Sequence, residues 1–438
     1  MPDHAGRIVR AVEERRDGIV ATLQDLIRFE SIVKADPKEA GPGERQCQEY
    51  LEQRLRVLGF KTDLWEPDGP ALYDEYRGYP GAQKGRTFDG RPILAGTLAG
   101  SGGGRSLLLT GHVDVVPPGP LEFWSHPPFE GIVEADTVFG RGAVDMKGGI
   151  ACMLMAVETL REIGIDLAGD VVFSTVVDEE IGGMGTLAMV DRGVRADAGI
   201  LPEPTMAAVS PVCHGILWGR IVVEGIGGHA ELKPRHWTRG GPVDAVRLTR
   251  FLMQGLDVLN ERWMTDPRKN HPLMELPNQV IVTQLSVGEH PSSAAGRGEI
   301  IIDVQYLPDE RDERGLGGNV KREVEEHIRR LSDVDPWLAQ RPPRVEWILD
   351  ADCAEVPMGH PIIDSFREAY QQAGEEPVFW GHGAHTDMGV PTERGGTPTV
   401  NFGPGDPNRA HQPNESVTSA ELVRATKIMA LTIASWCA

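Results

Sequence analysis

Residues 107–119, LLLTGHVDVVPPG, followed after a spacer by residues 140–149, GRGAVDMKGG, decide how this chain is read. The run Leu107-Leu108-Leu109 has the short, continuous apolar character of a buried parallel strand. His112 and Asp114 come directly after it, at the strand end where side chains of an α/β sheet face the ligand crevice. A neutral imidazole there is a common metal ligand, and a nearby carboxylate fixes its tautomer. Asp145 stands between a glycine-rich turn and an apolar helix, with no hydrophobic reason for its place. Taken singly, these residues also suit a solvated turn and a helix N-cap.

Three further stretches repeat the pattern. VVFSTVVDEEIGG (171–183) is an apolar strand ending in Asp178-Glu179-Glu180, adjacent carboxylates that a crevice tolerates when a cation neutralises them. AGILPEPT (198–205) sets Glu203 between two prolines after another apolar run. TVNFGPGDPNRAHQPNES (399–416) carries His411 in a Gly/Pro/Asn loop. Together these give His112, Asp145, Glu180, Glu203 and His411 as metal ligands, with Glu179 left over as a base. Two imidazoles and three carboxylates suit a pair of borderline divalent ions that share one carboxylate.

The motifs GHVDVVPPG, GRGAVDMKGG, DEEIGG, PEPT, GIGGHA and FGPGDPNRAHQPNE follow one another across nearly the whole chain. In this the sequence resembles the M20 metallopeptidase family, which includes acetylornithine deacetylase, succinyl-diaminopimelate desuccinylase, aminoacylase and the glutamate carboxypeptidases. The resemblance implies His112 and Glu203 on one metal, Glu180 and His411 on the other, and Asp145 bridging. It implies Glu179 as general base, Asp114 as the residue orienting His112, and His229 as a hydrogen-bond donor to the tetrahedral intermediate, reaching the site from a partner subunit. One or two divalent ions (zinc, manganese or cobalt) are the expected cofactor.

The remaining sequence sets the architecture. Apolar residues recur at helical spacing over the first thirty positions, and a second helix is expected over 44–58, before Gly59. FKTDLWEP reads as a strand. The Gly/Pro/Tyr-rich segment 67–92 that follows is long for a loop inside a domain; it is expected to be functional or mobile, with Tyr73, Tyr76 and Tyr79 either lining a channel or packed at the surface. Strand and helix then alternate through Glu203, as in a mixed sheet between helices. From about residue 212 the order becomes β-α-β-β-α-β, that of a ferredoxin-like module. The expected fold is therefore an α/β domain (1–211 and 351–438) interrupted by an α+β module (212–350); the family resemblance implies that the first is a dimetal-hydrolase catalytic domain and the second a lid and dimerisation domain.

A net charge of −21 disfavours nucleic acid and anionic membranes as partners. The chain lacks a long apolar span and the N-terminal region lacks a signal-peptide core, so a cytoplasmic location is expected; the family resemblance implies a homodimer or higher homo-oligomer through the inserted domain. Five scattered cysteines indicate neither a disulfide framework nor a thiolate metal site. The expected activity is metal-dependent hydrolysis of a C–N bond in a small molecule, with N-acyl amino acids favoured. Two departures from the family keep another C–N bond open, such as a ureide or an amine or amide on an aromatic acid. Gly288-Glu289-His290-Pro291 lacks the asparagine many members carry, and Gln305 stands where they place a carboxylate-binding arginine. A non-catalytic relative is a third class, disfavoured because every ligand and the base are present. His382, His385 and Asp387 in GHGAHTDMG either contact substrate, brace the metal shell or form an ordinary loop.

Overall fold

The computed structural model describes residues 4–34, 36, 38–79, 81–231 and 235–438. Its main strands are β1 (Lys61–Trp65), β2 (Ile93–Leu98), β3 (Leu107–His112), β4 (Val171–Val176), β5 (Ala198–Leu201), β6 (Gly215–Glu224), β7 (Val280–Val287), β8 (Arg297–Tyr306), β9 (Arg344–Ala351) and β10 (Thr399–Asn401). The chain divides into two units. One comprises residues 1–213, 354–382 and 386–438; the other, 214–353 and 383–385.

The first unit is built on a six-stranded mixed sheet in the order β1-β2-β4-β3-β5-β10. β3 is parallel to β4 and β5, and β10 to β5, whereas β1 and β2 run antiparallel to their neighbours. Every residue of β3, β4 and β5 is buried, as the unbroken apolar runs require of strands covered on both faces. The helix Lys147–Glu162 is apolar almost all round and packs between the sheet and the helix Ser419–Trp436. Its first turn explains the two glycines of DMKGG. A side-chain carbon at Gly148 would stand 2.3 Å from the Ala143 carbonyl oxygen, and one at Gly149 2.0 Å from that of Pro202. Ser419–Trp436 starts at a reciprocal cap between Thr418 and Glu421. The N-terminal apolar periodicity belongs to two helices, His4–Glu14 and Arg16–Ile27, broken at Arg15.

The second unit is a four-stranded antiparallel sheet in the order β7-β8-β6-β9. Burial alternates residue by residue along β8, so one face is covered and the other half-open. The helix Ala245–Trp263 packs on the sheet and on the helix Gly318–Val334, giving the ferredoxin-like order expected from the sequence. The chain leaves and re-enters the first unit at adjacent points: Cys213 N–H donates to the Ala354 carbonyl at 3.3 Å, and Val356 N–H to that of Pro211 at 2.8 Å. Among the described residues, no helix is long and apolar enough to cross a membrane.

Candidate metal centre

Four of the five expected metal ligands come from segments that follow sheet strands, and the fifth from the turn before a buried helix. His112 closes β3 and is buried. Its Nδ1 lies 2.9 Å from the carbonyl oxygen of Asp114 and 3.7 Å from the carboxylate of that residue. The backbone of Asp114 is thus the nearer partner of the ring. The Asp114 carboxylate instead accepts the backbone N–H groups of Glu179 (3.4 Å) and Glu180 (3.2 Å), and so joins the end of β3 to the turn after β4.

Asp145 lies between the two imidazoles. One carboxylate oxygen is 3.1 Å from His112 Nε2 and the other 3.3 Å from His411 Nε2. Glu203 approaches His112 Nε2 to 3.7 Å, and Glu180 approaches His411 Nε2 to 3.0 Å. Two triads share Asp145, His112/Asp145/Glu203 and Asp145/Glu180/His411, each with its candidate ligand atoms within 4.8 Å of one another. Glu179 is 3.9 Å from His112 Nε2 and belongs to neither triad. His229 lies in the second unit, in the two-residue strand Gly228–His229 paired with Ser293–Ala294, with its side chain exposed.

A buried pair that sequence reasoning passed over fixes Asp145. Glu415 Oε1 accepts the N–H groups of Val144 (2.8 Å) and Asp145 (3.1 Å), and its other oxygen takes Arg141 at 2.6 Å. Arg141 also donates to the carbonyls of Pro117 and Gln412. Glu415 follows His411 by one helical turn's length of chain, so a single carboxylate ties the shared ligand to the loop of the last one. Lys147, fully buried, donates to the Phe29 carbonyl at 2.7 Å, and burial pulls its pKa down to about 8. Asp387 is buried with its carboxylate on Thr186, while His385 Nδ1 is held by the Asp352 carbonyl at 3.0 Å. In the second unit, Trp263 is core and Trp237 stands edge-on to Trp337.

The electrostatics fit a cation. Burial, together with neighbouring carboxylates, raises Glu179 and Glu203 well above the ordinary range and Glu180 to about 7. Burial pushes Asp145 the same way, but the two imidazoles win and hold it below that range. Glu180 Oε1 is buried with no hydrogen-bond partner, an acceptor left over for a cation. A donor set of two imidazoles and three carboxylates with one spare buried oxygen suits borderline divalent ions.

Hydrogen bonds to Asp145 and Glu180 raise His411 to about 10, and although burial opposes it, His112 is also raised by Asp145, Glu179 and Glu203. His411 therefore carries a proton at neutral pH in the metal-free protein, and binding a metal there would require its release. The charged His411 stabilises the metal-free protein fully below pH 6.5, and this contribution is lost as pH rises through about 10. Zinc titrated calorimetrically at pH 7 in buffers of different ionisation enthalpy should release protons, with the release shrinking as pH approaches about 10. Proton-neutral binding at pH 7 would contradict this arrangement.

Residues 108–435 match the model of peptidase family M20/M25/M40. The chain is 30% identical over 443 residues to N-formyl-4-amino-5-aminomethyl-2-methylpyrimidine deformylase of Halalkalibacterium halodurans, an alignment covering 97% of this chain and 96% of that one. Among solved structures, a dipeptidase of Saccharomyces cerevisiae superposes with a TM-score of 0.72 at 14% identity, covering 100% of this chain and 99% of that one. A Bacillus subtilis protein described as a dinuclear metal-binding peptidase of the M20 family superposes with a TM-score of 0.58 at 14% identity, covering 96% and 98%.

Proposed function

The chain belongs to peptidase family M20/M25/M40 and is a metal-dependent hydrolase of C–N bonds; from that premise we propose that it removes a small acyl group, of formyl size, from the amine of a small heteroaromatic compound. The observation that carries this reading is Gln305 on β8. Its side-chain amide donates to the Gly383 carbonyl at 3.1 Å and is neutral. A substrate carboxylate meets no guanidinium at this position and gains no charge-assisted, bidentate clamp. An N-acyl amino acid carries such a carboxylate. The formamide named for the Halalkalibacterium relative does not.

In this reading His112 and Glu203 hold one ion, Glu180 and His411 the other, and Asp145 is shared. When bound, zinc, manganese or cobalt ions polarise the amide carbonyl and lower the pKa of water towards neutrality. Glu179, beside both triads and part of neither, takes the proton of the attacking water and delivers it to the leaving nitrogen. Asp114 keeps Glu179 and Glu180 in place through their backbone N–H groups and keeps His112 in place through its own carbonyl. His229 of the partner subunit donates to the oxyanion, with residues 212–350 as lid and dimer contact.

The test is turnover of N-formyl-4-amino-5-aminomethyl-2-methylpyrimidine against N-formyl and N-acetyl amino acids and a ureide, on protein reloaded with each of the three metals. The formamide should show at least about tenfold higher kcat/KM, the size of one charge-assisted hydrogen bond denied to the amino acids. Gln305→Arg should narrow or reverse that ratio. A clear preference for an acyl amino acid by the unaltered protein would return the assignment to that class.

A further inference from the structure

The segment joining β1 to β2 carries none of the metal motifs, yet its side chains converge on the turn that holds Glu179 and Glu180. Arg86 and Arg91, both buried, reach Asp178. Oδ1 of Asp178 accepts Arg86 Nε at 2.6 Å, a second Arg86 nitrogen, and Arg91 Nη2 at 2.9 Å. Arg91 also forks onto both oxygens of buried Glu44, at 2.7 and 2.8 Å, from the helix Pro42–Val57. Arg86 further donates to the Lys34 carbonyl at 3.0 Å. Two guanidinium groups and two carboxylates thus balance inside the protein, where any one of the four left unpaired would be costly.

Asp178 needs this support. Its φ of +80° lies in the left-handed region that disfavours a residue with a β-carbon, and such a conformation persists when its surroundings over-determine it. The rest of the turn is gripped as well. Gln83 donates its side-chain amide to the Ile181 carbonyl. Gly81, at φ +79°, lies so near that a side-chain carbon on it would stand 3.0 Å from the Gly182 carbonyl oxygen. The segment is itself anchored, because the Arg394 guanidinium lies 4.2 Å from the Tyr76 ring centre and 4.6 Å from that of Tyr79. Tyr76 and Tyr79 are thereby engaged in packing.

We propose that residues 76–79 and 81–92 form a clamp that sets the geometry of Glu179 and Glu180, with Arg86, Arg91 and Gln83 as positioning residues. The clamp acts through Asp178 and the Ile181 carbonyl and touches no ligand atom. This rests on the reading of Glu179 as base and Glu180 as ligand.

The test compares Arg86→Gln, Arg86→Lys and Gln83→Ala with Glu179→Gln. Three quantities are read: amide hydrogen exchange over 178–183, zinc affinity by chelator competition, and kcat and KM on N-formyl-4-amino-5-aminomethyl-2-methylpyrimidine. In folded Arg86→Gln and Gln83→Ala, exchange should quicken in 178–183 and not across the sheet. Zinc affinity and kcat should each fall by about 10–100-fold with KM unchanged, and Arg86→Lys should recover part of the loss. Wild-type exchange and zinc affinity in a folded Arg86→Gln would overturn the proposal. If Arg86→Gln does not fold, Gln83→Ala, which removes one neutral hydrogen bond, decides by the same readings. Turnover surviving in Glu179→Gln would sink the assignment of the base and leave the clamp to be judged on exchange and zinc affinity.

Discussion

Replacing Glu179 by glutamine is expected to lower kcat by about 10²–10⁴-fold, the range associated with loss of a general acid–base group. Metal content should not change. The side chain stands 3.9 Å from His112 Nε2 but lies outside both ligand triads, so its carboxylate can be exchanged for an amide with each triad intact. The amide has nearly the same shape and cannot accept a proton at neutral pH. Steady-state kinetics beside metal analysis by emission spectroscopy makes the check. Loss of metal with loss of turnover would make Glu179 a ligand instead of a base.

The second large effect is expected at Asp145, because its two oxygens serve two imidazoles. Asp145→Ala removes a member of both triads at once. It should cost metal affinity at both positions by more than the about 10–100-fold that loss of an outer hydrogen-bond partner costs. His411→Ala, in contrast, leaves the His112/Asp145/Glu203 triad complete and should retain the ion held there. Stoichiometry under graded chelator separates the two cases. Equal metal loss in both variants would mean that the triads do not act as distinct positions.

That the five residues of the two triads would converge was legible because most of the signal is local. An apolar run fixes the strand, and His112, Glu180 and Glu203 stand at or within four residues of such strand ends. The ferredoxin-like order was legible for the same reason, through alternation along strands such as Arg297–Tyr306. What escaped was set by distance in sequence. Nothing near Glu44 announces that it will meet Arg91, nor near Arg141 that its partner is Glu415, since each pairing exists only once the sheet has assembled. Buried arginines in Gly/Pro-rich stretches are the one signal that was available, because a charge in such a segment is ordinarily assumed to be solvated. The break at Arg15 was hidden differently, since the two N-terminal helices keep their apolar faces in one continuous rhythm.

The way the second unit is spliced into the first has an evolutionary consequence. The first-unit residues that flank segment 214–353 are hydrogen-bonded neighbours, Cys213 to Ala354 and Val356 to Pro211, so this segment leaves and rejoins the scaffold at one place. Segments whose ends lie close together are readily accepted as insertions, and such a segment has freedom to vary. The chain has the marks of that freedom. All five residues of the two triads lie in the first unit, whereas the departures from the family pattern, at residues 288–291 and at Gln305, fall in the second. Selection on substrate preference therefore has a separable segment of the chain to work on.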